Sequence, residues 1–264
     1  MQLRVCIAGP LTGPRACYGE LIRKAMADVL PKEGLSIHFF DDKADPHTVK
    51  RHLEQIIAHS DVVIGHFNSD CAQAAIPAYR AAGIPLLLPA STAAHLGDGE
   101  SVFQLCATDV EQVSELKAIA DSHFPHSTRY YWADGSNYSR RLLNLLQQQY
   151  EYAIPEIDAS NDDGEGGVTF YLGAHFSILE RMRHEGASWR GAAICCDDCD
   201  ITEFTQCARP GVWVCSSMPG YSDLLKRSVN MAWKVMCLKH NTWADYFDER
   251  GRYLPAGWKG YCIK

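Results

Sequence analysis

Val62–Leu96 reads VVIGHFNSDCAQAAIPAYRAAGIPLLLPASTAAHL, and the rest of the chain is organised around it. Its two apolar runs, Val62–Ile64 and Ile84–Leu88, are too short and too sharply bounded for helices. Each reads as a buried strand that ends in small polar residues. Gly65-His66-Phe67-Asn68-Ser69 follows the first and Pro89-Ala90-Ser91-Thr92 the second. Between them an Ala-rich helical stretch runs from Cys71 to Ala82, and Gly83 stands where a left-handed terminal residue belongs. Strand, helix, strand with short joints is a right-handed βαβ unit, so both polar loops fall at the carboxyl ends of adjacent parallel strands. Open α/β sheets bind ligands there. Ser69 stands just before the expected helix start, where its hydroxyl and the N–H groups behind it suit an anion such as a carboxylate. Ser91, Thr92 and the Ala90 carbonyl add polar groups from the second loop. One small anionic or zwitterionic ligand is the expected occupant.

The same segment, from Gly65-His66 through the Ser-bearing loop and helix to Pro89-Ala90-Ser91-Thr92, resembles the signature of the leucine/isoleucine/valine-binding protein family. These are type I periplasmic binding proteins of ABC transporters, and order and spacing match without a gap. The resemblance implies a two-lobed α/β fold, with parallel sheets flanked by helices and a small molecule trapped between lobes by hinge closure.

Composition bounds the alternatives. A chain of 264 residues with 47% hydrophobic content can bury a substantial core, as one domain or two lobes. The net charge of −7 argues against nucleic acid or an acidic membrane surface as a partner. No apolar run approaches the ~20 residues of a membrane span. Met1 leads almost directly into the core-like Leu3-Arg4-Val5-Cys6-Ile7-Ala8-Gly9, without a secretory leader pattern. The expectation is a cytoplasmic protein; a leader removed beforehand would make it periplasmic. Eleven cysteines are an odd total for a disulfide framework, and Cys6, Cys106, Cys215 and Cys237 read as small buried hydrophobes. Some family members bridge two first-lobe loops with a disulfide. The resemblance puts Ala44 and Asn68 at those positions, and a reducing compartment follows.

Outside the central stretch, the first strand ends in Gly9-Pro10-Leu11-Thr12-Gly13-Pro14 and a helix follows from about Tyr18 to Leu30. The resemblance implies that Tyr18 lines the ligand's side chain; on its own chemistry it serves equally beneath the loop. Leu35–Phe40 reads as a second strand, followed by Asp41 and Asp42 in a solvated loop. Asp45 is a good N-cap and Pro46 suits the first helical position. Further on come a strand at Val102–Thr108, a helix at Val110–Ala120, a strand at Thr128–Ala133 and a helix at Tyr138–Tyr150. The resemblance makes Tyr138 a ligand contact, whereas packing alone would make it a helix anchor.

The second half departs from the family. Asn161-Asp162-Asp163-Gly164-Glu165-Gly166-Gly167 is a polar loop where the family places a strand and helix, so a compact second lobe is expected. A strand at Val168–Leu172, a helix from His175 and a strand at Ala192–Cys196 lead to Asp197-Asp198-Cys199-Asp200. The resemblance gives His175 the place of a cleft aromatic and Asp197 that of an acid pairing with a ligand ammonium. A one-residue register leaves Asp197 and Asp198 both open for that role, and His175 also suits a helix cap. A strand at Val212–Ser216 and a helix from Ser222 to about His240 follow. Tyr246–Tyr253 and Gly260–Ile263 resemble the family's closing hairpin. The expected domains are 1–125, 126–245 and a crossover hairpin at 246–264.

Other chemistries carry less. Cys195-Cys196-Asp197-Asp198-Cys199 holds a Cys-x-x-Cys, with Cys207 beyond it, but lacks the second pair of a zinc site. Cys195 or Cys196 with His175 as base is the enzyme alternative, without a supporting motif. His66 reads as a residue that satisfies backbone hydrogen bonds. No phosphate loop or dinucleotide fingerprint is present, and no cofactor or metal is expected. The reading is therefore non-enzymatic binding of a small, branched-chain-like amino acid or amide. Ser69, Ala90, Ser91, Thr92, Tyr18, Tyr138, His175 and Asp197 form its site. The partner is a membrane permease in ABC-type uptake, or a regulatory protein if the chain is a cytosolic amide- or amino-acid-responsive sensor. A homodimer through a shortened lobe is the further alternative.

Overall fold

A computed structural model describes residues 2–29, 33–157, 167–185, 191–239 and 241–264. The chain divides into two compact units, Met1–Thr108 with Met218–Ala256, and Asp109–Ser217 with Gly257–Lys264.

The first unit is built on a five-stranded sheet of order β2-β1-β3-β4-β5. Its strands are β1 (Leu3–Gly9), β2 (Leu35–Asp41), β3 (Val62–Ile64), β4 (Leu86–Leu88) and β5 (Val102–Gln104). Each neighbouring pair runs parallel. β3 and β4 are buried at every position, as expected of strands covered on both faces. The connecting helices are α1 (Ala16–Ala27), α2 (Pro46–His59) and α3 (Ser69–Ala82). Asp45 caps α2 through the His47 and Thr48 amides with Pro46 in the first turn, as its sequence predicts. Gly83 closes α3 at φ 67°. Val49 and Ile56 of α2 and Cys71, Ala72, Ala75 and Tyr79 of α3 pack with Cys6, Val63 and Leu86 of the sheet into one core. At about 1.5–3 kcal/mol for each large side chain buried, this face is the main driving force of the unit.

The second unit carries a five-stranded sheet of order β10-β9-β8-β7-β6. Its helices α4 (Asp109–His123), α5 (Asn137–Gln148), α6 (His175–Glu185) and α7 (Thr202–Cys207) alternate with β6 (Arg129–Ala133), β7 (Val168–Leu172), β8 (Ala192–Cys195) and β9 (Trp213–Met218). β6, β7, β8 and β9 pair in parallel. Where the second lobe was expected to have lost a helix, Ile154–Ile157 lies beside β6, through bonds between Tyr131 and residues 155 and 157. Apart from Gly167, the polar loop at 161–167 lies outside the described residues, as do the expected helix ends Leu30 and His240.

Two expectations need correction. Helix α8 (Tyr221–Trp233) was placed in the second lobe, yet it packs on α1 and belongs to the first unit. The contiguous domains 1–125 and 126–245 therefore do not describe the molecule; the chain changes unit at 108/109, 217/218 and 256/257. Its closing segment is also not a hairpin. Residues 251–253 bond to Gln104 at the edge of the first sheet, whereas β10 (Gly257–Cys262) joins the second sheet beside β9. Apolar periodicity locates elements but carries no label for the sheet they join.

Candidate functional site

In the first unit the polar loops after β3 and β4 are tied together. The Ala93 amide donates to the Ser69 hydroxyl at 3.2 Å, and the Ser91 hydroxyl donates to the His66 carbonyl at 2.7 Å. The Gln104 side-chain amide donates to the Ser91 carbonyl at 2.7 Å and the Ala93 carbonyl at 3.2 Å. Ser69, Ala90, Ser91 and Thr92 are all buried. Ser69 is the first residue of α3 rather than the residue before it. Asn68 is the N-cap, and its side chain accepts from the Asp70 and Cys71 amides at 2.9 and 3.3 Å. Two amides expected to face an anion are thus occupied, which leaves the Ser69 hydroxyl as the polar group at this corner. Asn is as strong an N-cap as Ser, and here it takes that position one residue earlier than expected.

Beneath these loops lies a chain of buried polar side chains. The Asp42 carboxylate bonds His66 Nδ1 at 2.7 Å, and His66 Nε2 lies 3.2 Å from the Tyr79 hydroxyl. All three residues are fully buried. This corrects two expectations: Asp42 is not solvated, and the His66 ring bonds side chains rather than backbone. Burial, with Cys6 and Asp42 nearby, pushes the Tyr79 phenol up. Asp41 turns the other way and accepts from the Leu11 amide at 2.9 Å and the Thr12 hydroxyl at 2.5 Å. Gly65, between β3 and His66, has φ 118°, and an added Cβ would lie 1.9 Å from the Ala8 carbonyl oxygen. Only glycine fits there. Tyr18, in the first turn of α1, is buried with its ring 6.3 Å from that of Phe67 and the Arg15 guanidinium 6.0 Å away.

In the second unit Tyr138 and Asp197 come together. The Tyr138 hydroxyl donates to the Asp197 carboxylate in a short bond, and the Gln112 amide donates to the same oxygen at 2.8 Å. Tyr138 also lies 3.2 Å from the Gln112 carbonyl oxygen. Burial first, and then Asp197, hold the Tyr138 phenol well above its ordinary range, so it stays a donor. Arg141, one turn along α5, lies 5.8 Å over the Tyr138 ring and bonds the buried Asp109 at 3.2 Å. The two acids have different partners. Asp197 meets Tyr138, whereas Asp198 accepts from the His175 amide at 2.8 Å and from His175 Nδ1 at 3.0 Å. His175 opens α6, is fully buried, and has Nε2 3.6 Å from Glu203. Gln112 was missed: it lies on an ordinary amphipathic helix and no local signal separates it from its neighbours.

Cys195, Cys196 and Cys199 are buried and Cys207 is exposed. Among the described residues no three of these thiols have sulfur atoms all within 4.8 Å of one another. Cys196 exchanges bonds with the Gly173 backbone at 3.3 and 3.4 Å, and His175 Nδ1 bonds Asp198 at 3.0 Å. Among the described residues no helix is long and apolar enough to cross a membrane.

Helix-flanked parallel sheets with polar loops at their carboxyl ends define the type I periplasmic-binding-protein-like fold. Residues 23–159, about half of the chain, match the family described as receptor family ligand binding region, and the chain belongs to that family. A curated relative, Leu/Ile/Val-binding protein homolog 2 of Brucella abortus, is 28% identical over 135 residues, 46% of this chain and 36% of the relative. The chain thus spans about a third of the length of the curated relatives it matches. Among solved structures, an ABC transporter substrate-binding protein of Desulfitobacterium hafniense aligns at TM-score 0.70 and 18% identity, covering 99% of this chain and 96% of that one. The branched-chain amino acid transporter substrate binding protein of Streptococcus pneumoniae, in complex with isoleucine, aligns at TM-score 0.68 and 15% identity, covering 87% and 78%. The likeness to leucine/isoleucine/valine-binding proteins read from Val62–Leu96 is borne out.

Proposed function

We propose that this protein binds a small amino acid with a branched-chain-like side chain, or a related small polar molecule, and releases it unchanged. The observation that carries this reading is the Ser69–Ala93 hydrogen bond, which ties the start of α3 to the loop after β4 at the carboxyl ends of adjacent parallel strands. In this reading the Ser69 and Thr92 hydroxyls hold the ligand carboxylate. The Ala90 carbonyl and Asp197 hold its ammonium, and Tyr18, Tyr138 and His175 shape the side-chain pocket. Ser91 supports the loop through its bond to His66. Gln112 joins the set because it shares Asp197 with Tyr138. The relatives support the ligand class: one is a Leu/Ile/Val-binding protein homolog and another holds isoleucine.

Uptake would make a membrane permease the partner. The second reading is a cytosolic amide- or amino-acid-responsive regulator that acts through a partner protein. Eleven free thiols favour it, because they suit a reducing compartment. A thermal-shift screen of the common amino acids and small amides, under reducing conditions, tests ligand binding in both readings. A ligand at a hundred times its dissociation constant stabilises by about 2.7 kcal/mol, a shift of several degrees at this size. A selective shift with leucine, isoleucine or valine is expected, and it shrinks in the Ser69→Ala and Thr92→Ala variants. No shift with any compound would overturn the proposal.

A further inference from the structure

The Cys-x-x-Cys of the second unit has no part in the binding reading, yet it frames the residues on which that reading depends. β8 ends at Cys195, and Asp197–Cys199 form one 3-10 turn with Cys196 as its cap. The Cys199 amide donates to the Cys196 carbonyl at 3.1 Å, so the two cysteines stand at the start and end of a single turn. Cys195, Cys196 and Cys199 are all buried. Between the two cysteines sit Asp197, bonded to Gln112 and Tyr138, and Asp198, bonded to the amide and ring of His175. Cys196 also clamps the corner after β7, since its thiol donates to the Gly173 carbonyl and accepts from the Gly173 amide. Any covalent change at these sulfurs therefore acts on both carboxylates and on the start of α6.

We propose that Cys196 and Cys199 are a redox-active pair, and that their disulfide resets the turn carrying Asp197 and Asp198. The co-reactant is a low-molecular-weight disulfide. One cysteine thiolate attacks it and forms a mixed disulfide, with one small thiol leaving; the second cysteine then displaces the other small thiol. Two Cys S–H bonds and one S–S bond break, one S–S bond forms in the protein, and the two protons end on the two released thiols. Once Cys196 has no S–H, its bond to the Gly173 carbonyl is lost. Closing the sulfurs to about 2 Å also tightens a turn whose side chains point at Tyr138, Gln112 and His175. Both thiols are buried and burial pushes the Cys199 thiol up, so exchange proceeds through opening of this short turn and is slower than at the exposed Cys207 and Cys262. The consequence for ligand affinity rests on the binding role proposed for Asp197.

The test equilibrates the full chain with mixtures of reduced and oxidised glutathione, traps remaining thiols, and maps the products by mass spectrometry. Hydrogen exchange of the segment containing His175 is followed on the same samples. The expected result is a Cys196–Cys199 disulfide, reversed by excess reduced glutathione. About tenfold faster exchange of the His175 amide should accompany it as its bond to Asp198 is lost. The Cys199→Ser variant should show neither change while Cys207 and Cys262 still react. A bridge from Cys199 to Cys195, thiols that stay reduced after Cys207 and Cys262 have reacted, or a Cys196–Cys199 bridge with unchanged His175 exchange would each overturn the proposal. These readouts need no ligand, so a failed amino-acid screen would count against the binding reading and leave this one standing on its own result.

Discussion

The polar clusters of the two units are made from the same kinds of residue and wired differently. In the first unit polar side chains bond mainly to backbone: Asn68 to two amides, Ser91 to the His66 carbonyl, Gln104 to the carbonyls of Ser91 and Ala93. Loop shape is fixed by the chain itself, and the Asp42–His66–Tyr79 line anchors it from below. In the second unit side chains bond to side chains: Asp197 to Gln112 and Tyr138, Asp198 to His175, Asp109 to Arg141. The first arrangement is a stiff, backbone-defined cradle. The second is a network of polar and titratable side chains that hold one another.

The largest effect should come from the cradle's backbone. Gly65→Ala drives a Cβ into the Ala8 carbonyl at a positive φ. A loss of about 4 kcal/mol or more is expected, seen as failure of the first unit to fold by circular dichroism and denaturant titration. If Gly65→Ala folds normally, the claim of a backbone-defined cradle breaks. Next comes the anchor. His66→Leu leaves the fully buried Asp42 carboxylate without its ring partner and should cost about 3 kcal/mol in urea unfolding at pH 7.

The sequence predicted these two regions to very different depths. Helix α3 and strands β3 and β4 were legible from Val62–Leu96 because apolar runs and Gly83 are local signals. The ties across this site span only 24 and 25 residues, inside that stretch. Asp42 was misread because two adjacent acids in a loop show nothing of the histidine that buries one of them. In the second unit Gln112 and Tyr138 meet Asp197 across 85 and 59 residues, and no local pattern announces such a meeting. Tyr138 and Asp197 were reached by resemblance, and Gln112 was not reached at all. The same limit misassigned α8, whose apolar face is plain in sequence and whose partner α1 is not.

Acid probes the units as well. In the first, burial raises Asp98, but the Val102, Ser101 and Glu100 amides and Arg80 outweigh it, so its carboxyl sits well below the ordinary range. A depressed pKa contributes stability that is present above the unfolded value near pH 4 and lost as pH falls below it. Asp98→Asn should therefore lower stability at pH 7 by about 1–2 kcal/mol and remove part of the fall between pH 4 and pH 2. Unfolding curves at both ends of that window measure it, and an unchanged acid profile would contradict it. The smallest effects compare the two wirings directly. Ser91→Ala in the cradle removes one hydrogen-bond donor and Gln112→Met beside Asp197 a donor and an acceptor, and each should cost about 1 kcal/mol in denaturant unfolding. Ser91→Ala should keep the pH dependence of ligand binding, and Gln112→Met should alter it.

The most direct test of the central claim is calorimetric titration with leucine, with its analogue lacking the carboxylate, and with its analogue lacking the amine, into the wild type and Ser69→Ala. Saturable leucine binding is predicted, weakened roughly five- to thirtyfold by Ser69→Ala, with the analogue that lacks a carboxylate indifferent to the substitution. No saturable heat with leucine, isoleucine or valine, or a Ser69→Ala protein that binds leucine as tightly as the wild type, would contradict the account.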